Sequence, residues 1–257
     1  MARKIVLITG ASSGIGLELA KVFARNNHDL AIVSRRHDVL TQVAEMLSGE
    51  YDVSVTTVAK DLSLPGSTLE LFEELTEKNI EVDILVNNAG FGNYGFFSET
   101  SRLADLELIQ LNITALTDLT KLFLPSMINR GFGRILNVGS IASFMSGPYM
   151  NTYFASKAYV LNFSVGLSVE LRGTGVGVSC LCPGPTPTNF GTRAHYHFNL
   201  NRMHKMSAGK VAQIGYDGCI NGKLIIIPGL KWQIATFINR LFSRFRVAVI
   251  VKKLSGF

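Results

Sequence analysis

The chain has 257 residues, 47% hydrophobic and 17% charged, which suffices for one large α/β domain with a sizeable core but not for two well-cored ones. That composition excludes wholesale disorder, a collagen-like fibre and a disulfide-stapled miniprotein. The formal charge of +6 is lopsided: residues 1–170 are net acidic, whereas 171–257 carry a run of Lys and Arg against the single acid Asp217, so the last third is expected to face something anionic.

Apolar, β-rich runs predict strands at 5–9, 30–34, 53–58, 84–87, 134–138 and 176–181, with 224–227 as a seventh. Most are continuous rather than alternating, the pattern of strands covered on both faces. Between them apolar residues recur at helical spacing. Within 15–27, Leu19, Val22 and Phe23 share a face, and Leu69, Phe72 and Leu75 do the same further on. Strand–helix alternation predicts a single domain over 1–257: α/β, a doubly wound, Rossmann-type parallel sheet of about seven strands with helices on both faces. The alternation fails after Pro183, where Pro185 and Pro187 follow and the chain turns polar. Residues 189–223 are expected to form a substrate lid, because irregular segments that long inside a compact domain usually serve a site.

Thr9-Gly10-Ala11-Ser12-Ser13-Gly14-Ile15-Gly16 follows the first strand and opens the first helix. Glycine lets a backbone approach a pyrophosphate closely, and a helix N-terminus offers free N–H donors and positive dipole. The spacing is Gly-x-x-x-Gly-x-Gly, and a plain glycine-rich turn is the alternative. Its place between the first strand and first helix favours dinucleotide binding. At the end of the second strand, an acid would accept from a ribose 2′-hydroxyl and repel a 2′-phosphate. Here stand Ser34, Arg35 and Arg36, with Asp29 before the strand and Asp38 inside the next helix. Two guanidiniums at a helix start call for an anionic partner, so NADP(H) is preferred and NAD(H) is the alternative.

Among the seven tyrosines only Tyr153 has a lysine four residues later, Lys157, which on a helix puts both on one face. An ammonium beside the phenol would lower its pKa from about 10 toward a useful catalytic range. Ser140 follows the fifth strand, placed to hydrogen-bond the same substrate oxygen. Asn87-Asn88-Ala89-Gly90 ends the fourth strand. Asn112 stands in an apolar helical run, where an unsatisfied amide would cost about 1–3 kcal/mol.

Taken together, these residues resemble the short-chain dehydrogenase/reductase superfamily. Residues 9–16 match its cofactor loop, Asp61-Leu62 its adenine-contacting pair, and 87–90 its sheet-stabilising motif, with Asn88, Ala89 and Gly90 beside the cofactor. Asn112, Ser140, Tyr153 and Lys157 match its catalytic tetrad, and Pro183-Gly184 with Thr188 match the turn that holds the nicotinamide end. The resemblance implies that Tyr153 exchanges a proton with the substrate oxygen while hydride moves to or from the nicotinamide. Ser140 would orient that oxygen, Lys157 would bind the nicotinamide ribose and tune Tyr153, and Asn112 would hold a water that relays protons. Many NADP-preferring members carry a base where this chain has Ser13, which leaves the 2′-phosphate to Arg35, helped by Ser12, Ser13 or Arg36. A homo-oligomer, dimer or tetramer, through the helices bearing Asn112 and Tyr153 is also implied.

Residues 228–257 run on past the matched region. Trp232, Ile234, Phe237, Ile238, Leu241 and Phe245 form an apolar stripe at helical spacing, and Lys231, Arg240, Arg244, Arg246, Lys252 and Lys253 have no acid among them. A basic amphipathic helix of this kind usually packs on its own domain or a partner subunit; lying on an anionic membrane through 231–254 is the second reading. No nucleic-acid motif accompanies the charge, so no nucleic-acid partner is expected. Phe190, Tyr196 and Phe198 suit an apolar substrate tail or ordinary packing. His195, His197 and His204 lack a neighbouring carboxylate or thiol cluster, so no metal site is expected. Cys180, Cys182 and Cys219 suggest no disulfide framework, and neither a spanning helix nor a signal-peptide core is visible; a cytoplasmic location is expected. The function expected is reduction of a hydrophobic ketone or aldehyde by NADPH, such as a 3-oxoacyl thioester or a steroid-like or retinoid-like carbonyl. A non-catalytic NADP-binding sensor or scaffold is the alternative.

Overall fold

A computed structural model describes residues 3–188, 190 and 205–254. The first half alternates strictly: β1 (Ile5–Thr9), α1 (Gly14–Arg25), β2 (Asp29–Ser34), α2 (His37–Tyr51), β3 (Val55–Ala59), α3 (Ser67–Glu77) and β4 (Ile84–Asn87). Then come α4 (Arg102–Ile109), α5 (Leu116–Asn129), β5 (Gly133–Val138), α6 (Asn151–Glu170) and β6 (Val176–Leu181). After α7 (Ala208–Ile220) lies a two-residue β7 (Ile225–Ile226), followed by α8 (Leu230–Ile238) and α9 (Arg244–Leu254). All pairings are parallel and the order is β3-β2-β1-β4-β5-β6-β7. The chain walks outward from β1 to β3 and returns to set β4 beside β1. The crevice outside the carboxyl ends of β1 and β4 is therefore the switch point at which such sheets bind ligands.

The continuous apolar strands are buried on both faces, as their pattern requires. Val6 and Ile8 pack with Leu19 and Phe23 of α1, Leu40 of α2 and Val211 of α7. Leu7, between them in sequence, packs on the opposite face with Leu71, Phe123 and Leu167. The stripe read for α1 is buried throughout. The one read for α3 is corrected at Leu69, which is 47% exposed; Leu71 and Leu75 carry the buried face, four residues apart. Asp29 is the first residue of β2 and not a residue before it, paired with Ile5 at the end remote from the crevice. Cys180, Cys182 and Cys219 are free and buried.

Two expectations change in the last third. The segment read as a lid over 189–223 holds α7, which packs on α1 and buries Val211, Ala212 and Cys219 in the main core; 208–220 is thus a core layer. Residues 189 and 191–204, with His195, Tyr196, His197, Phe198 and His204, lie outside the described residues. The extension is two helices rather than one, because the chain passes through a 3-10 turn (Asn239–Leu241) into extended backbone at Phe242. No helix among the described residues is long and apolar enough to cross a membrane.

Candidate active site

The loop after β1 is built for close approach. Gly10 and Gly14 have φ of +68° and +60°, where a side chain would be strained. A Cβ on Gly16 would collide with the Gly10 carbonyl and the Asn88 amide, so the bare glycine lets α1 close onto the strand end. Ser13 caps α1 in extended conformation without a side-chain cap bond, and the first turn holds no acid. Its N–H groups and dipole are left for an anion. Thr188 reaches over this loop: a Cβ on Gly14 would stand 3.1 Å from its methyl.

Across the switch point, Asn88 stitches β4 to this loop. Its Nδ2 donates to the Thr9 carbonyl (2.8 Å) and the Gly10 carbonyl (3.2 Å), while Thr9 Oγ1 accepts the N–H groups of Asn88 and Ala89, both at 3.0 Å. Gly90 lies so close to the catalytic helices that a Cβ would meet Asn112 Oδ1 at 2.9 Å and Lys157 Nζ at 3.5 Å.

At the end of β2, Ser34 Oγ is buried without a hydrogen-bond partner. Arg35 is 64% exposed, its guanidinium 3.7 Å from the Asp61 carboxylate. Burial by itself would raise the Asp61 pKa, but hydrogen bonds from the Ser63 N–H and hydroxyl, with the Arg35 charge, hold it below the usual value. Arg36 caps α2, and Leu62 is buried beside Asp61.

The residues expected to be catalytic converge at the end of β5 and the start of α6. Ser140 caps a 3-10 turn (Ile141–Phe144): its Oγ accepts from the Ala142 N–H at 3.1 Å and its N–H donates to Ser143 Oγ at 3.3 Å. Ser143 Oγ in turn donates to the Lys157 carbonyl at 2.7 Å, locking this turn to α6. Burial pushes the Tyr153 phenol up to about 12, opposed by its hydrogen bond with Ser140. Burial likewise pushes Lys157 down to about 8. The lowering of Tyr153 by Lys157 expected from their spacing is therefore corrected. Lys157 Nζ donates to the Val138 carbonyl at 2.8 Å and lies 5.9 Å from the Tyr153 ring centre, so desolvation dominates both groups.

Asn112 lies in a π-helical segment (Gln110–Ala115) between α4 and α5 and is 2% exposed. Its Nδ2 donates to the Phe91 carbonyl (3.0 Å) and Ser156 Oγ (3.1 Å), and its Oδ1 accepts from the Phe91 N–H (3.2 Å). Both amide hydrogens are spent, so Asn112 clamps the loop after β4 to α6; as a water holder its side chain has only Oδ1 to offer. A single-turn π segment of this kind is frequent at functional sites.

Further residues line the site, of which Met150, Tyr149 and Asn93 carried no local signal in the sequence. The Phe190 ring stands 5.2 Å from that of Tyr153, and Met150 and Phe190 both press on Gly92. Tyr149 has φ +69° and meets the Phe96 ring edge-on at 5.2 Å, a strained position of the kind that gathers at functional sites. Asn93 Nδ2 is buried without a partner in the pocket that Tyr149 and Met150 line. On the opposite rim the Trp232 indole covers Gly184, and the Pro183 carbonyl accepts the Ile141 N–H at 3.0 Å. The residues fit a nicotinamide dinucleotide: glycine loop and helix N-terminus for the pyrophosphate, Ser34, Arg35 and Asp61-Leu62 for the adenosine end, and Gly90, Lys157 and the 183–188 turn for the nicotinamide end. Among the described residues no cluster of His, Cys, Asp and Glu could hold a metal ion.

Known proteins are similar to this chain. The short chain dehydrogenase family matches residues 4–197. The chain is 33% identical over 176 residues to the very-long-chain 3-oxoacyl-CoA reductase-A of Danio rerio, covering 66% of this chain but only 54% of that relative. It is 36% identical to an NADP-dependent 3-hydroxy acid dehydrogenase of Salmonella typhi, covering 66% of this chain and 67% of that one. Among solved structures, a short-chain dehydrogenase from Sphingobium yanoikuyae in complex with NADPH is 34% identical with a TM-score of 0.83, covering 92% of this chain and 94% of that one. The bulky-bulky ketone specific alcohol dehydrogenase from Comamonas testosteroni is 30% identical with a TM-score of 0.80, covering 93% of both chains.

Proposed function

The chain belongs to the short-chain dehydrogenase family of oxidoreductases acting on CH–OH and C=O groups, and from that premise we propose that it reduces hydrophobic ketones or aldehydes with NADPH. The observation that carries this reading is the meeting of Tyr153, Ser140 and Lys157 beside the apolar Phe190 and Met150. A phenol pushed up to about 12 keeps its proton at neutral pH, which suits donation to a carbonyl oxygen. Ser140 would hold that oxygen. Lys157, anchored to Val138, would hold the nicotinamide ribose and stabilise negative charge on Tyr153 as the proton leaves. Asn112 would position α6, and with it Tyr153, through Ser156, whose Oγ donates to the Tyr153 carbonyl at 2.7 Å. Bound NADPH would supply the hydride. A sensor or scaffold would have no use for a buried phenol beside a buried ammonium.

Arg35, exposed beside Asp61, supports NADP(H) over NAD(H). The curated relatives and the ketone-specific structural neighbour favour 3-oxoacyl thioesters or bulky ketones as the substrate class. The exposed sides of the α4–α5 and α6 helices would pair two copies into a dimer or tetramer. A cytoplasmic location, with a peripheral membrane contact through 231–254, belongs to the same proposal. The experiment is a titration with NADPH and NADH against a panel of hydrophobic ketones and 3-oxoacyl thioesters, following absorbance loss. Consumption of NADPH with one carbonyl class is expected. Tight NADPH binding with no turnover of any carbonyl or alcohol would overturn the reading.

A further inference from the structure

Among the described residues the extension leaves a large apolar surface exposed. Leu230, Phe237, Leu241 and Phe245 are 70%, 62%, 72% and 79% exposed, and Ile234 and Ile250 are half exposed. Each helix keeps a narrow inner edge: Thr236 of α8 and Val247 of α9 are buried. Soluble surfaces rarely carry so many adjacent large apolar side chains without a partner. Lys231, Arg240, Arg244, Arg246, Lys252 and Lys253 punctuate this surface, and among the described residues none of them pairs with a carboxylate.

The extension also touches both rims of the catalytic crevice. In α8, Trp232 covers Gly184, and the helix packs against the turn that Ser140 caps. In α9, Lys252 Nζ stands 5.9 Å from the ring centre of Tyr149, which itself packs on Phe96 and lies four residues before Tyr153. Phe97 next to it is 67% exposed. The extension thus reaches the loop at the substrate side, where Phe97 is exposed.

From this juxtaposition we propose that the α8–α9 face docks on an anionic lipid bilayer, with the mouth of the site held at the surface, so that the carbonyl substrate is drawn from the membrane. The chemistry is that of an interfacial helix pair: apolar side chains enter the acyl boundary and cations meet the headgroups. A second copy of the chain is a poor occupant of the same face. A two-fold contact sets a patch against itself, and here that would bring like-charged, acid-free surfaces together. The docking surface deepens the membrane contact proposed above, and the route of the substrate rests on the reductase reading.

The test is flotation of the full chain with phosphatidylcholine vesicles, with and without phosphatidylglycerol, for the native protein, a Leu241→Ser/Phe245→Ser variant and an Arg240→Gln/Arg244→Gln/Arg246→Gln variant. NADPH binding and reduction of a short water-soluble ketone are measured alongside. The native protein is expected to float with phosphatidylglycerol vesicles in a salt-sensitive way, and each variant to bind them about tenfold more weakly or worse. Both variants should keep NADPH affinity and the soluble-ketone rate, yet lose turnover of a long-chain ketone dissolved in the vesicles. No flotation by native protein that binds NADPH normally would overturn the proposal, as would a lipid-free dimer that Leu241→Ser/Phe245→Ser converts to monomer. Flotation without turnover of any ketone would overturn the substrate route and the reductase reading, and leave the docking surface standing.

Discussion

Lys157 Nζ lies 2.8 Å from the main-chain carbonyl of Val138, so the ammonium that the Tyr-x-x-x-Lys spacing aims at the phenol is anchored to the end of β5. This contact ties α6 to the central sheet, while burial of the ammonium pushes its pKa down to about 8. For ketone reduction, kcat/KM is expected to stay level up to about pH 8 and then to fall toward tenfold per unit as Lys157 loses its charge. Initial rates from about pH 6 to about pH 10 check this. A profile level throughout would show that the charge on Lys157 is not needed.

The same burial leaves a signature in stability. The folded pKa of Lys157, about 8, lies below its ordinary 10.5, so between those values the unfolded chain binds more protons and stability rises with pH. Tyr153 acts in the opposite sense. Its folded pKa, about 12, lies above its ordinary 10.0, so stability falls as pH climbs between them. Denaturant midpoints of native protein and Lys157→Met should differ in slope over the first window, by an effect on the order of 3 kcal/mol.

Tyr153→Phe removes the proton donor while keeping the ring that packs on Phe190. Turnover should drop by about 10²- to 10⁴-fold with NADPH affinity nearly unchanged. Stopped-flow reduction together with fluorescence titration separates the two. Retained turnover would move the proton to another donor.

Arg35→Ser should weaken NADPH binding by about tenfold to a hundredfold, the range of a lost charge-assisted contact, and leave NADH binding close to its native value. Parallel titrations with both cofactors decide it. Equal losses for both would show that Arg35 supports Asp61 rather than reading a phosphate.

Asn137 is fully buried between two partners, accepting from Asn87 Nδ2 and donating to Ser164 Oγ, each at 2.9 Å. Asn137→Ala removes one partner from each, leaving Asn87 Nδ2 with Thr120 Oγ1 and Ser164 Oγ with the Val160 carbonyl, and is expected to cost about 1–3 kcal/mol in chemical denaturation. An unchanged midpoint would mean that the network relaxes around Thr120, the second acceptor of Asn87.

Local patterns carried a great deal of this protein. Strand positions, the burial of α1 and the glycine loop at residues 9–16 are written in neighbouring residues, because side-chain periodicity reports burial and glycine reports backbone geometry. The doubly wound parallel class follows from strand–helix alternation, and the pairing of Ser140 with Tyr153 from motifs at a strand end and on one helix face; the strand order came only with the fold. What local patterns could not carry are the partners. Asn112 looks like an anomaly in an apolar run until Phe91 and Ser156, the latter 44 residues away, take up its amide. Spacing alone suggests that Lys157 lowers the Tyr153 pKa, but burial outweighs it in the folded chain and the Val138 carbonyl takes up the ammonium. The α7 segment reads as a cover until it is seen to fill the groove beside α1. Helical spacing describes the extension as one stripe, but the break near Phe242 lets it reach both Gly184 and Tyr149. Hydrogen bonds and desolvation depend on which distant segments are folded together, and that information belongs to the packed chain, not to any window of its sequence.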